Sequence, residues 1–299
     1  MTPDLGPPVD VLQPEAAPIP LVVSSPHSGH IYPPSLLAKV GLGAGHLRRL
    51  EDGCVDRLFD SAPELGAPLL RARFARAYVD PNREAFELDP DLFEDALPAH
   101  VNVSSIKARA GLGTIPSRLG GRAIYRSRLS FAEAEQRIRL AYWPYHETLQ
   151  HLVGQAVATF GGALLLDCHS MPSLTANGSA SRETQIDVAL GDRHGRSCAP
   201  FLVERAELLL RRRGFRAARN RPYAGGFITA RYGEPAAGVH ALQIEVRRDL
   251  YMDERTFRPY AALEALKGVI RELMIDLAGL MVDHLASERP RLARYPSAS

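Results

Sequence analysis

The chain holds 299 residues, of which 45% are hydrophobic and 23% charged, with a formal net charge of +2. Those values fit one substantial globular domain or two small ones, and they argue against disorder. A balance this close to neutral gives no ground for a nucleic-acid partner, and no stretch approaches 18 uninterrupted apolar residues, so no membrane span is expected.

The positive charge is almost all arginine, with Lys39, Lys107 and Lys267 as the lysines. The run Arg211 to Arg213 closes an apolar helical pattern, where cations favour the helix C-terminus. Residues 1–18 read as a Pro-rich lead-in without the basic start and apolar stretch of a secretory signal, and residues 19–295 as a single domain. Cys54, Cys168 and Cys198 cannot all pair within the chain and show no CxxC spacing, which predicts a reducing, cytoplasmic setting.

In chain order, Leu21 to Val23 reads as a strand ending in the turn-rich segment Ser24 to Gly29. Helical spacing over Asp52 to Leu65 predicts a helix capped by Asp52 itself. Pro68 to Leu70 and Ala77 to Val79 read as two more strands, and residues 84–128, with Gly111, Gly113, Pro116, Gly120 and Gly121, as long functional loops. Ser130 to Phe160 is predicted mostly helical, opened by the Ser-x-x-Glu signature of Ser130 and Glu133. Strands at 163–166, 186–190, 215–218 and 239–246 follow, with helices over 196–213 and near 256–285. This alternation predicts an α/β class, a three-layer αβα fold around a central mixed, mostly parallel sheet.

Four candidate sites fall at or just past the ends of apolar strand runs, where ligands collect in open α/β sheets. His27 stands in Ser25-Pro26-His27-Ser28-Gly29, and His169 in Leu166-Asp167-Cys168-His169, where Asp167 is placed to orient a ring. This pair reads as zinc ligands or as part of a catalytic relay. Glu245 lies inside an apolar strand, where burial costs unless the carboxylate is paired or functional; its alternatives are a general base or a salt bridge to Arg247 or another arginine. Asn82 and Arg83 follow the run 77–79 and suit a carboxylate, with Arg76 on the approach. A catalytic zinc takes three protein ligands, and Asp52 is the carboxylate best placed to be the third, with His30 or Glu51 as competitors. Cys168 beside His169 fits Cys–His chemistry poorly, because neighbours on a strand face opposite ways. Tyr223 and Arg231, in and after the Pro/Gly-rich stretch 222–226, are candidates for a pocket wall or belong to a plain turn.

The segments SSPHSG (24–29), EDGCVDRLFD (51–60), ARAYVDPNR (75–83), GLGTIP (111–116), YWPYHETL (142–149) and LLLDCHSMP (164–172) resemble the N-formylglutamate amidohydrolase (N-formylglutamate deformylase) family. DVALGDRHGRSC (187–198), RPYAGGFITARYG (221–233) and VHALQIEVRRDLYMDE (239–254) continue the likeness to the last helix. The resemblance implies kinship with zinc-dependent exopeptidases and acyl-amino-acid hydrolases of the same three-layer fold. It implies Zn2+, or another divalent metal, on His27, Asp52 and His169, with Glu245 as general base and acid. Asn82 and Arg83 would clamp a substrate carboxylate, and Arg76 would hold a developing oxyanion.

The implied reaction releases formate and L-glutamate from N-formyl-L-glutamate, as in histidine degradation. The rival readings are hydrolysis of another N-acyl amino acid or short peptide, and a catalytically silent binding protein of the same fold. The expected partner is a small N-acyl amino acid, with neither nucleic acid nor membrane; the oligomeric state is not legible. Two positions depart from the family pattern: Gly53 where tryptophan is common, and Pro81 where leucine is usual. Wider relatives draw a carboxylate ligand from three residues after the first histidine, where this chain has His30.

Overall fold

The apolar runs at 21–23, 163–166 and 239–246 are buried on both faces because each becomes an inner strand of one seven-stranded sheet. The computed structural model describes residues 5–173 and 185–292. The strands are β1 (Val9–Leu12), β2 (Leu21–Ser25), β3 (Leu69–Ala72), β4 (Ala163–Met171), β5 (Val188–Gly191), β6 (Ala217–Arg219) and β7 (Val239–Arg247). Across the sheet they run β1-β3-β2-β4-β7-β5-β6. β3, β2, β4 and β7 are mutually parallel, whereas β1 pairs antiparallel with β3 and β5 antiparallel with β7. The expected mixed, mostly parallel sheet is therefore present, and Val9–Leu12 inside the Pro-rich lead-in supplies its antiparallel edge.

The principal helices are α1 (Val55–Leu58), α2 (Phe131–Arg137), α3 (Trp143–Phe160), α4 (Pro200–Arg212), α5 (Phe227–Tyr232) and α6 (Ala262–Leu292). Strand alternation sends Val22, Leu165 and Ala241 to one face, where Tyr145, Leu149 and Leu152 of α3 cover them. Leu164, Leu166, Leu242 and Ile244 face the other way, onto Leu202 and Ala206 of α4 and Ile270 and Leu273 of α6. The result is helix, sheet, helix, as the alternating pattern predicts.

α2 begins where the sequence places it, with Ser130 Oγ accepting from the Glu133 amide at 3.3 Å. Between α2 and α3 the helix widens over Ile138–Tyr142. Pro144 accounts for this: it has no N–H to donate, and its ring crowds the carbonyl four residues back.

Two predicted elements fail. The helix over Asp52 to Leu65 shrinks to α1 and a single turn at Pro63–Leu65, and Asp52 does not cap it. Cys54, at φ 61°, precedes α1 in a left-handed conformation, and the Asp52 carboxylate turns instead to two histidines. Ala77 to Val79 forms a turn rather than a strand, with Tyr78 N–H donating to the Ala75 carbonyl at 2.8 Å. The apolar character of that run reflects burial, since Ala77, Tyr78 and Val79 are all buried. Among the described residues, no helix is long and apolar enough to cross a membrane.

Candidate active site

The carboxyl ends of β2, β4 and β7, three adjacent parallel strands, deliver His27, His169 and Glu245 to one edge of the sheet. His27 stands two residues beyond β2 in a turn packed tightly on the β3 side. A Cβ on Gly29 would fall 2.1 Å from the Phe74 carbonyl oxygen, so only glycine allows this approach. The Asp52 amide donates to the His27 carbonyl at 2.9 Å, which ties the two loops together.

His27 Nδ1, His169 Nδ1 and Asp52 Oδ2 form a buried triangle with edges of 3.1, 3.0 and 3.2 Å. Ligands at zinc bond lengths in a tetrahedral shell lie about 3.3 Å apart, so this donor set and its spacing fit such a cation. The outward nitrogens fit it too. His27 Nε2 lies 2.8 Å from Asp80 Oδ1, and His169 Nε2 lies 3.0 Å from Asp167 Oδ1. Each imidazole is thus backed by a carboxylate, an arrangement that fixes ring orientation and strengthens a metal-facing nitrogen. Among the described residues, neither Asp167 oxygen accepts a well-aligned hydrogen bond, so this buried carboxylate relies on His169 for its charge partner.

Among the competitors for the third ligand, His30 is exposed. Glu51 is buried but turned to Tyr32, whose hydroxyl donates to it, and to Arg48 Nε at 3.4 Å. Asp52 alone of these joins the triangle. Its second oxygen, Oδ1, accepts from Ser170 Oγ at 3.1 Å and Arg248 Nη2 at 2.9 Å.

The surrounding charges set the protonation states. Burial works against ionised Asp52, but hydrogen bonds from His169 and His27 and the Arg248 charge hold it well below the usual carboxylate range. Asp80 is held low in the same way, with Arg76, His27 and Arg83 outweighing burial. Burial would strip the proton from His169, yet Asp167, Asp52 and Glu245 raise it well above the ordinary histidine value.

Glu245 is buried and stands directly opposite His169 in the β4–β7 register. Arg247, its expected salt-bridge partner, pairs instead with Asp187 at 2.8 Å and Asp249 at 2.5 Å. Glu245 Oε1 accepts from Gln243 Nε2 at 2.9 Å. Burial is the main reason its carboxyl is pushed up to about 7; His169 opposes the rise and the Asp52 charge adds to it.

The loop 80–83 carries the remaining candidates. Asn82 Nδ2 lies 3.1 Å from His169 Nε2, and its Oδ1 accepts from the Ile228 amide at the start of α5. Gly226 makes this possible, because a Cβ there would fall 2.4 Å from the Asn82 amide. Arg83 donates from Nε to the Leu112 carbonyl and from Nη1 to the Asn82 carbonyl, at 2.8 and 3.0 Å. Arg76 Nε donates to Asp80 Oδ2 at 2.8 Å, and carboxylates of Asp80, Asp52 and Glu245 overcome its burial to raise its pKa. α3 and the widened turn before it brace the loop from behind: His146 Nε2 meets the Pro81 carbonyl at 2.8 Å, and the Tyr142 hydroxyl donates to the Arg83 carbonyl at 2.9 Å.

Tyr223 lies at the rim, 40% exposed, with its hydroxyl pKa raised by burial and by the charge of Glu245. Arg231 is exposed, its guanidinium 5.8 Å from the Tyr232 ring centroid, and its charge adds to the burial that lowers the His146 pKa. Cys168 faces the opposite core, and burial raises its thiol well above the usual range, consistent with an inert residue. Reading the sequence alone missed Asp80, Ser170, Gln243 and Arg248. Asp80 lies inside the ARAYVDPNR segment (75–83) and Arg248 beside Arg247, so each was visible only as a neighbour of something else.

Comparison with known proteins agrees with this architecture. The family model for N-formylglutamate amidohydrolase matches residues 19–252. An N-formylglutamate deformylase of Pseudomonas aeruginosa is 35% identical, over 87% of this chain and 92% of its own length. One from Pseudomonas putida is 32% identical over 79% of this chain and 83% of its own. The crystal structure of N-formylglutamate amidohydrolase from Ralstonia eutropha JMP134 superposes with a TM-score of 0.83 at 36% identity, covering 95% of this chain and 99% of that one. A gene product of Agrobacterium tumefaciens, 20% identical with a TM-score of 0.66, shares the fold. On sequence and architecture together, this chain belongs to the N-formylglutamate amidohydrolase family.

Proposed function

We propose that this protein is a metal-dependent amidohydrolase that removes the formyl group from N-formyl-L-glutamate, giving formate and L-glutamate. The observation that carries the reading is Glu245 in register beside His169, at the rim of a buried His–Asp–His triangle. The names of the two curated relatives and of the Ralstonia structure supply the substrate.

His27, Asp52 and His169 would hold a divalent cation, zinc in our reading. When bound, it supplies Lewis-acid charge that acidifies a water and polarises a carbonyl. Glu245 takes a proton from the attacking water as its oxygen bonds to the formyl carbon. The same carboxyl returns a proton to the nitrogen as the C–N bond breaks, and a pKa near neutrality suits both tasks. Gln243 keeps one Glu245 oxygen occupied, which leaves the other for the water. Arg76, held by Asp80, offers positive charge to the developing oxyanion. Asn82 and Arg83 orient the substrate carboxylate, Arg83 through the part of its fork not spent on the Leu112 and Asn82 carbonyls. Tyr223 closes the rim over the substrate. Arg231, on the outer side of α5, steers the anionic substrate toward the cleft from a distance. The unpaired cysteines Cys54, Cys168 and Cys198 support a cytoplasmic location.

The test is formate release by zinc-loaded protein across formyl-, acetyl- and succinyl-amino acids. Preference for N-formyl-L-glutamate supports the reading, and preference for another acyl group moves the assignment to that substrate. Zinc-loaded protein inert toward the whole panel would leave a binding protein.

A further inference from the structure

The basic pair Arg247–Arg248 splits into two jobs. Arg247 belongs to the strand network with Asp187 and Asp249. Arg248 turns the other way and is buried beside Asp52. Its Nη2 donates to Asp52 Oδ1 at 2.9 Å, and its Nε donates to Ser170 Oγ at 2.9 Å. A second, longer contact joins Nη2 to the Ser170 carbonyl at 3.4 Å. Because Ser170 Oγ accepts from Arg248, its own proton is free to point at Asp52 Oδ1, 3.1 Å away. Arg248, Ser170 and Asp52 therefore close a three-membered hydrogen-bond ring.

That ring divides the two oxygens of Asp52 completely. Oδ2 faces both histidine Nδ1 atoms, and Oδ1 faces a guanidinium and a hydroxyl. Ser170 directly follows His169 in β4, and consecutive strand residues project to opposite sides, so the carboxylate sits across the strand's end with one oxygen on each side. We infer that Arg248, acting with Ser170, is a positioning residue that restricts Asp52 to binding a cation through Oδ2 alone. The inference rests on the metal-centre reading above. Its chemical consequence is an open coordination position: a carboxylate free to rotate can engage with both oxygens and crowd the place a water or carbonyl would use. A planar fork suits this task because two donors of one rigid guanidinium, Nη2 and Nε, reach Oδ1 and Ser170 Oγ at the same time.

The experiment uses full-length protein with zinc alone as the probe. Zinc affinity is read by competition with a chromophoric chelator, and the first shell by X-ray absorption. Arg248→Lys keeps the charge but loses the fork. We expect it to bind zinc about 10-fold more weakly or worse, with one more oxygen in the first shell than the wild type. Ser170→Ala removes one of the two Oδ1 donors and is expected to give a smaller change in the same direction. Wild-type affinity and an unchanged first shell in Arg248→Lys overturn the inference alone. If that variant fails to fold, as judged by circular dichroism, Ser170→Ala decides by the same two readouts. Wild-type protein that takes up no zinc overturns the metal-centre reading and this inference with it.

Discussion

His169 and Glu245 occupy paired positions of two adjacent parallel strands, on the same face of the sheet. Neighbouring strands lie about 4.8 Å apart, so a histidine of the His–Asp–His triangle and the carboxyl read as general base are set side by side by backbone pairing rather than by a flexible loop. Such a pair keeps its spacing without cost to loop ordering, which is what a water held between them requires.

Glu245→Gln separates binding from chemistry. It preserves size and the contact with Gln243 while removing the base. Steady-state turnover of N-formyl-L-glutamate should fall by roughly 100-fold to 10,000-fold. Zinc content of the purified variant, measured by emission spectrometry, should match the wild type.

The triangle itself responds differently. His169→Ala or His27→Ala should lose both turnover and bound metal, because two ligands make a poor site. Chelator treatment of the wild type should abolish turnover, with recovery on adding zinc. Retained activity in fully metal-free protein would refute the metal role.

Asp80 links the two halves of the site, since its carboxylate meets His27 Nε2, Arg76 Nε and the Asn82 amide. Asp80→Asn should weaken zinc binding by about 10-fold to 100-fold. The same substitution loosens Arg76, so kcat should drop further than metal occupancy explains; titrating the variant with zinc to saturation separates the two effects.

Gly226 packs against Asn82, the residue proposed above to orient the substrate carboxylate. A methyl group there collides with the Asn82 side chain, 2.4 Å from its nearest atom. Gly226→Ala should cost about 1–3 kcal/mol in a denaturant melt and raise KM for N-formyl-L-glutamate, as Asn82 is displaced from the Ile228 amide.

Away from the site, Asp187, just before β5, pairs with Arg216, just before β6, and with Arg247 at the end of β7. Burial raises its pKa, but hydrogen bonds from the Arg216 side chain and backbone and the Arg247 charge lower it overall. A carboxyl whose folded pKa is depressed stabilises the fold above its unfolded pKa, and that share is lost as pH falls through the folded one. Asp187→Asn should therefore destabilise at neutral pH, by about 1–3 kcal/mol. Thermal melts from pH 7 down to pH 3 should show the gap between variant and wild type closing.

Local patterns carried the architecture. Apolar runs at 21–23, 163–166 and 239–246 announced inner strands, and the Ser130–Glu133 signature placed a helix start, because burial and capping leave their mark within a few residues. The same logic misread Ala77 to Val79, where burial without strand pairing gives the same apolar run, and Asp52, whose position resembled a cap.

His27, His169 and Glu245 were legible because each followed or ended a strand, so the sheet's topology alone would carry them to a common edge. The sequence could also name Asp52 as a candidate, although not choose it over His30 or Glu51. That choice belongs to tertiary structure: Glu51 is claimed by Tyr32 and Arg48, His30 is exposed, and Asp52 is drawn in by two histidines, Ser170 and Arg248. Asp80 and Arg248 acquire their roles from partners 53 and 196 residues away. Hydrogen-bond geometry between residues so distant leaves no periodicity to read. It exists only once the sheet has closed and water has been excluded.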